Sequence, residues 1–318
     1  LPVDQASVDL HTRRAAAGGD AEFDFRGINW FGRRHDVMTA VSPRAFAELR
    51  AARPSNARNE YLGLGENTPP AGSAARAALQ ADDSCQLPLA SWSAPISAKE
   101  LRAAGGILSQ FDQDGITILT RDNFTDTGIE ARSDLDQYRV LHFATHGVVT
   151  SRAPQCAAQP ALLTSFGSDQ SDGMLTFREV FDLKLDADLV ILSACDTAAN
   201  ASVTATQQAG LSSGGDVALD GLVRAFVGAG SRLVLASHWP VPDDYDATQR
   251  LIVGLFQSPP GTPTITALRR SQLKLMDELD TSHPFYWSAF AAIGDGTIPV
   301  IRGPDRQAAA STPSPTGH

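Results

Sequence analysis

Tyr138-Arg-Val-Leu-His-Phe-Ala-Thr-His-Gly147 and Asp188-Leu-Val-Ile-Leu-Ser-Ala-Cys195 decide how this chain is read. Both are apolar at successive positions, so both faces of each strand are to be covered, as in the central strands of a mostly parallel sheet. Each run then stops on a reactive residue, His146 in the first and Cys195 in the second, 49 positions apart (195 minus 146). If the two strands are parallel neighbours, their ends lie about 4.8 Å apart. His146 and Cys195 then share the carboxyl edge of the sheet, where open α/β sheets bind their ligands.

Outward from these runs the chain alternates strand and helix signals, which predicts one sheet with helices on both faces. Strands are expected at residues 61–65, 116–120, 140–144, 189–193, 232–236 and 288–293. Leu219, Leu222, Val223, Phe226 and Val227 follow the i, i+3, i+4, i+7, i+8 spacing of a helix with one apolar stripe, and Gly228 and Gly230 supply its stop. Ala247, Leu251, Ile252, Leu255 and Phe256 repeat that stripe, as do Ile265, Leu268, Leu275, Met276 and Leu279. Residues 1–21 are polar and rich in Ala and Gly, and are expected to be a linker; residues 303–318, rich in Ala, Ser and Pro, are expected to be a disordered tail.

The 318 residues, 42% hydrophobic and 19% charged, allow one substantial core or two small ones. No stretch reaches the roughly 18 consecutive apolar residues of a membrane span, so no membrane association is expected. The formal net charge is −10 and basic residues form no block longer than Arg33-Arg34 or Arg269-Arg270. Phosphate binding needs a concentrated positive face, so a nucleic-acid partner is not expected either. Cys85, Cys156 and Cys195 are an odd count without Cys-x-x-Cys spacing, which argues against a disulfide framework or a zinc site and for a reducing, cytoplasmic location. The chain opens at Leu1 without an initiator Met or a signal segment, and is expected to be a fragment or a processed form.

A thiol attacks as the thiolate, and an adjacent imidazole takes its proton. Cys195 is therefore the candidate nucleophile and His146 its base. The backbone N–H groups of Gly147 and Cys195 are candidate donors to the oxyanion. This chemistry requires no metal and no cofactor, and no orienting carboxylate is identified. His142, four positions before His146, falls inside the strand and is expected to be hydrogen-bonded in the core. Gly63-Leu-Gly65 lacks the third glycine of a dinucleotide loop, and Asp82-Asp83-Ser84-Cys85 has no buried strand before it. A catalytic His about 50 residues upstream of a Cys that ends a strand is the caspase-type arrangement.

Six stretches carry a family likeness: Leu141–Gly147, Gly173–Phe181, Leu189–Ala198, Asp220–Gly230, Ala236–Val241 and His283–Phe290. With these in order over roughly residues 25–300, the chain resembles the CHAT domain, a bacterial branch of the caspase-like cysteine peptidases often fused to TPR repeats. The resemblance implies a three-layer caspase-hemoglobinase-like α/β fold, with a mostly parallel central sheet and helices on both faces. It implies a peptidase domain at residues 22–302 with His146 and Cys195 as the dyad, and a TPR-like regulatory segment upstream. By the same likeness Ser237 to Val241, His238 included, would pair with the backbone of a protein or peptide substrate. Trp239 would line a subsite, and Ser193 would sit where caspases place a Gln in the primary specificity pocket. Caspases carry an Arg just after the aligned Trp, and Pro240 stands there instead, removing the main electrostatic reason for cleavage after Asp. Asp196, Asp243 and Asp244 are candidates to favour a basic residue at the cleavage point. Residues 200–215 are expected to form a mobile loop after the nucleophile. The alternatives are a catalytically silent interaction module that binds a partner through the substrate groove, and a hydrolase using the same dyad on a non-peptide acyl substrate.

Overall fold

The structure, a computed structural model, describes residues 4–69, 89–111, 115–149, 160–167, 171–193, 216–239 and 244–303. Its strands, in chain order, are β1 (Asn59–Gly65), β2 (Ile116–Thr120), β3 (Tyr138–Ala144), β4 (Gly147–Val149), β5 (Pro160–Leu163), β6 (Met174–Thr176), β7 (Leu189–Ser193), β8 (Leu233–Ser237) and β9 (Phe290–Gly294). Its helices are α1 (Gln5–Ala17), α2 (Pro43–Ala51), α3 (Leu89–Ser93), α4 (Lys99–Leu108), α5 (Asp126–Glu130), α6 (Phe177–Asp182), α7 (Asp216–Ala229), α8 (Ala247–Phe256), α9 (Thr264–Met276) and α10 (Pro284–Trp287). Among them none is long and apolar enough to cross a membrane.

Six strands form the main sheet in the order β2-β1-β3-β7-β8-β9, and only the last pairing is antiparallel. β3 and β7 are parallel neighbours at its centre, in the register Val140↔Leu189 to Ala144↔Ser193. Their continuous apolar composition has a direct cause: all seven residues of β3 and all five of β7 are buried. Alternation then sorts side chains into two layers. Tyr61, Ile191, Leu233 and Leu235 pack with α4, α8 and α9, while Leu62, Leu141, Phe143, Val190 and Val234 pack with α6 and α7. Phe226 of α7 tilts against Phe143 with ring centroids 5.3 Å apart. Each such buried side chain contributes about 1.5–3 kcal/mol of hydrophobic stabilisation before entropy is counted. The fold is therefore the three-layer α/β architecture expected, with all six expected strands present.

Three features depart from the expectation. The segment anticipated as a linker holds α1, whose first turn is capped by the Asp4 carboxylate accepting from the Ser7 N–H. It is tied down by the Asn29 N–H donating to Ser7 Oγ and the Asn29 amide donating to Asp4. α9 stops at Met276, so Leu279, anticipated on its stripe, lies beyond it and is 45% exposed. A second sheet, β4-β5-β6, is antiparallel and was not anticipated. Its first strand begins at the residue after His146, so it shapes the carboxyl edge. Elsewhere Thr39 exchanges backbone bonds with Ala292 and Gly294, covering the outer edge of β9.

Candidate active site

The row of residues that closes the carboxyl edge of the sheet is small at its centre. Gly65 pairs with Ala144, and Ala144 with Ser193. A Cβ on Gly65 would lie 2.3 Å from the Ala144 carbonyl oxygen, so only glycine admits this approach of β1 to β3. His146 and Cys195 each stand two residues beyond the paired Ala144 and Ser193, an equal offset along parallel neighbours.

His146 sits in the turn between β3 and β4. Its carbonyl accepts from Leu163 N–H at 2.8 Å, and the neighbouring Thr145 hydroxyl donates to the Leu163 carbonyl at 2.6 Å. The imidazole is therefore carried by a turn anchored to β5. Its Nε2 lies 2.6 Å from the Ala94 carbonyl oxygen. A carbonyl only accepts, so Nε2 carries the hydrogen, and the neutral ring presents its lone pair on Nδ1. That Nδ1 is buried and has no hydrogen-bond partner among the described residues. Ala94 follows α3, where buried Trp92 holds the segment by donating its indole N–H to the carbonyls of Thr164 and Gly173. The orienting group is thus a backbone carbonyl, which no side-chain pattern announces.

Gly147 pairs with Leu162 in the β4–β5 ladder. Because the adjacent Leu163 N–H donates to the His146 carbonyl, alternation directs the Gly147 N–H away from β5. β4 is the edge strand of its sheet among the described residues, so that N–H faces the side on which they place no strand. Ser193 is buried, and its hydroxyl has no partner among the described residues. An orphaned buried hydroxyl costs stability, so its presence calls for an explanation. Cys195, Asp196, Pro240, Val241, Asp243 and the 200–215 segment lie outside the described residues, as do Cys85 and Cys156. Asp244 opens the turn Asp244–Asp246.

The substrate-strand expectation at Ser237 and His238 meets an occupied sheet. Ser237 is 1% exposed and ends β8, paired with Phe290 of β9. The His238 N–H already donates to the Ala289 carbonyl at 2.8 Å. On the β9 side neither residue offers an open edge for an added strand. Trp239, next in sequence, is only partly buried; its ring lies 6.1 Å from Phe285 at an interplanar angle of 5°, and its indole N–H donates to the Phe285 carbonyl.

His142 takes the core role expected of it. It is fully buried, with Nε2 2.7 Å from Glu100 and Nδ1 2.8 Å from the Tyr61 hydroxyl. Burial, with Glu100 nearby, pushes the Tyr61 hydroxyl well above its ordinary range, so it stays protonated and donates. The network pins α4 to β1 and β3 beneath the site. No group of side chains among the described residues has the makings of a metal site.

Known proteins bear on this geometry. The family model described as "CHAT domain" matches residues 10–295. Human tetratricopeptide repeat protein 28 is 31% identical over 193 residues, covering 51% of this chain and 7% of the relative. The mouse protein of that name is 33% identical over 126 residues, covering 38% of this chain and 4% of the relative. The chain thus spans less than a tenth of the length of these relatives, and both are mammalian rather than bacterial. Among solved structures, the complex of Porphyromonas gingivalis RgpB pro- and mature domains superposes with a TM-score of 0.48 at 10% identity, over 86% of this chain and 59% of that one.

Proposed function

The chain belongs to the CHAT-domain family, and from that premise we propose that it is a cysteine endopeptidase in which His146 and Cys195 form the dyad. The observation that carries this reading is the His146 ring: Nε2 is committed to the Ala94 carbonyl, and Nδ1 is left unpartnered at the carboxyl edge. Cys195 is two residues past Ser193, a reach of at most about 7 Å, and Ser193 is paired with the strand that carries His146.

In this reading Nδ1 accepts the Sγ proton and the thiolate attacks the scissile carbonyl carbon. The Gly147 and Cys195 N–H groups hold the oxyanion. The C–N bond breaks as Nδ1–H protonates the leaving amine, and a water molecule, deprotonated by His146, then hydrolyses the thioester. Thiol, imidazole and water balance the reaction. The orphaned Ser193 hydroxyl is assigned to the primary specificity pocket, with Asp196 as a candidate for its charge preference and Trp239 beside it. Residues 22–302 are taken as the catalytic unit. A TPR-like segment upstream is taken as its regulator, in keeping with the repeat named in both relatives. A free catalytic thiol fits a reducing compartment such as the cytoplasm.

The test is cleavage of a diverse peptide library by wild type and by Cys195→Ala. Turnover by the wild type that is lost in the variant supports the peptidase. Equal turnover by the two, or turnover by neither, contradicts it, and silence from both favours a binding module.

A further inference from the structure

Four large apolar side chains that a folded chain would ordinarily cover lie together on one surface. Phe23 is 64% exposed, Tyr245 54%, Leu279 45% and Phe285 40%. They line a cleft of about 510 Å³ with Tyr286, Asp280 and His283. Its walls are largely aromatic: Tyr286 meets Tyr245 edge-on at 6.0 Å and Phe285 edge-on at 6.3 Å.

Charge sets what such a cleft accepts. Aromatic faces are negative and attract cations, whereas a purely apolar partner gains nothing from an acidic rim. Asp280 is exposed at the rim, and no Lys or Arg is among the described lining residues. His283 adds no positive charge near neutral pH, because burial and then the nearby His11 lower its pKa. The whole chain carries a net charge of −10, which favours approach of a cation.

The backbone gives a second, independent indication. Tyr245 is held at φ 60° and ψ 16°, and Asp246 after it at φ 50°. Left-handed backbone is uncommon for a bulky aromatic residue, and such strain gathers at ligand clamps. Here it is spent on a tyrosine that remains half exposed in the cleft wall. The cleft also adjoins the proposed specificity pocket, since Phe285 in its wall stacks on Trp239, two residues past the end of β8 and assigned beside that pocket.

We propose that this cleft is a subsite for a cationic side chain, Lys or Arg, of a peptide bound past the end of β8, held between the Tyr245 and Phe285 rings with Asp280 at its rim. It rests on the peptide-substrate reading above and adds a recognition element remote from the dyad. Fluorescence anisotropy with the full chain carrying Cys195→Ala tests it, because binding is then read without cleavage. The probes are labelled Ala-based octapeptides with one Arg placed in turn at each position, each matched by a peptide with neutral, isosteric citrulline there. The expected result is one position where Arg binds about fivefold or more tighter than citrulline. Tyr245→Leu, which keeps an apolar wall but removes the π face, and the exposed Asp280→Asn are each expected to remove most of that preference for Arg over citrulline. Equal binding of Arg and citrulline at every position overturns the proposal, as does a gain that survives both substitutions. Cleavage by the wild type alongside such a result would leave the peptidase reading standing.

Discussion

At the amino edge of the main sheet Arg139, fully buried, pairs with Glu60 at 2.6 Å and Asp188 at 3.6 Å and donates to the carbonyls of Pro299 and Val300. Asp188 also accepts from the Ser55 N–H, and Arg232 reaches Asp186 at 2.6 Å. At the carboxyl edge of the same sheet, Nδ1 of His146, Oγ of Ser193 and Oδ1 of Asn67 are buried without partners among the described residues. Strands of similar composition thus end in two different ways. Where the buried charges of Arg139 and Asp188 are paired, the edge contributes to holding the domain together. Where buried polar atoms stand unpaired beside Gly65 and Ala144, stability is given up, as the proposed site would require.

Substitutions at the two edges should therefore separate. Arg139→Met takes the buried cation from Glu60 and Asp188, leaving them only the longer contacts to Arg302 at 3.6 Å and Arg232 at 3.8 Å, and is expected to cost about 3–5 kcal/mol in chemical denaturation. A loss below about 1 kcal/mol would mean that the amino edge is not the clamp described. His142→Leu, beneath the site, strands Glu100 and the Tyr61 hydroxyl and is expected to cost about 2–4 kcal/mol. His146→Ala, four residues on, should leave Tm nearly unchanged while abolishing any peptidase activity.

Glu66 gives the comparison a pH axis. Burial pushes its carboxyl up, but the Ala98 N–H and the guanidinium groups of Arg121 and Arg102 outweigh that and hold it below its ordinary 4.5. A folded-state pKa below the unfolded one adds stability that is full above the unfolded value and is lost as pH falls through the folded value. Glu66→Gln is thus expected to lower Tm at pH 7 and progressively less on acidification below about pH 4.5, in parallel thermal melts. A constant difference across that range would show that the charge does not stabilise the fold. The smallest effect is expected at Ser193→Ala, which removes an unpaired buried hydroxyl and should raise stability by about 1 kcal/mol. If it changes peptide selectivity without lowering Tm, Ser193 belongs to the specificity pocket; an unchanged library profile would remove it.

What could be read from the sequence follows the same division. β3 and β7 were legible because burial on both faces forces a continuous apolar run, and α8 because its stripe repeats on a helical period. β4 to β6 were not, since strands of three or four residues carry no periodic signal. α1 has only one buried residue, Ser7, and is held by a cap and by polar bonds to Asn29, so a hydrophobic reading passes over it. In the site, His146 was legible because it ends a strand. The Ala94 carbonyl was not, since every residue has one and only the fold brings this one to the imidazole. The aromatic cleft was equally hidden, because Phe23, Tyr245, Asp280 and Phe285 come from separate segments.

The most direct test of the dyad is the pH dependence of alkylation at each cysteine, followed by peptide mass spectrometry in the wild type and in His146→Ala. An imidazole paired with Cys195 yields thiolate well below the ordinary thiol value of about 8.5. At pH 6 Cys195 is expected to react at least about tenfold faster than Cys85 and Cys156, and His146→Ala to abolish this advantage. A Cys195 that reacts no faster than the other two, or that keeps its advantage without His146, would contradict the dyad.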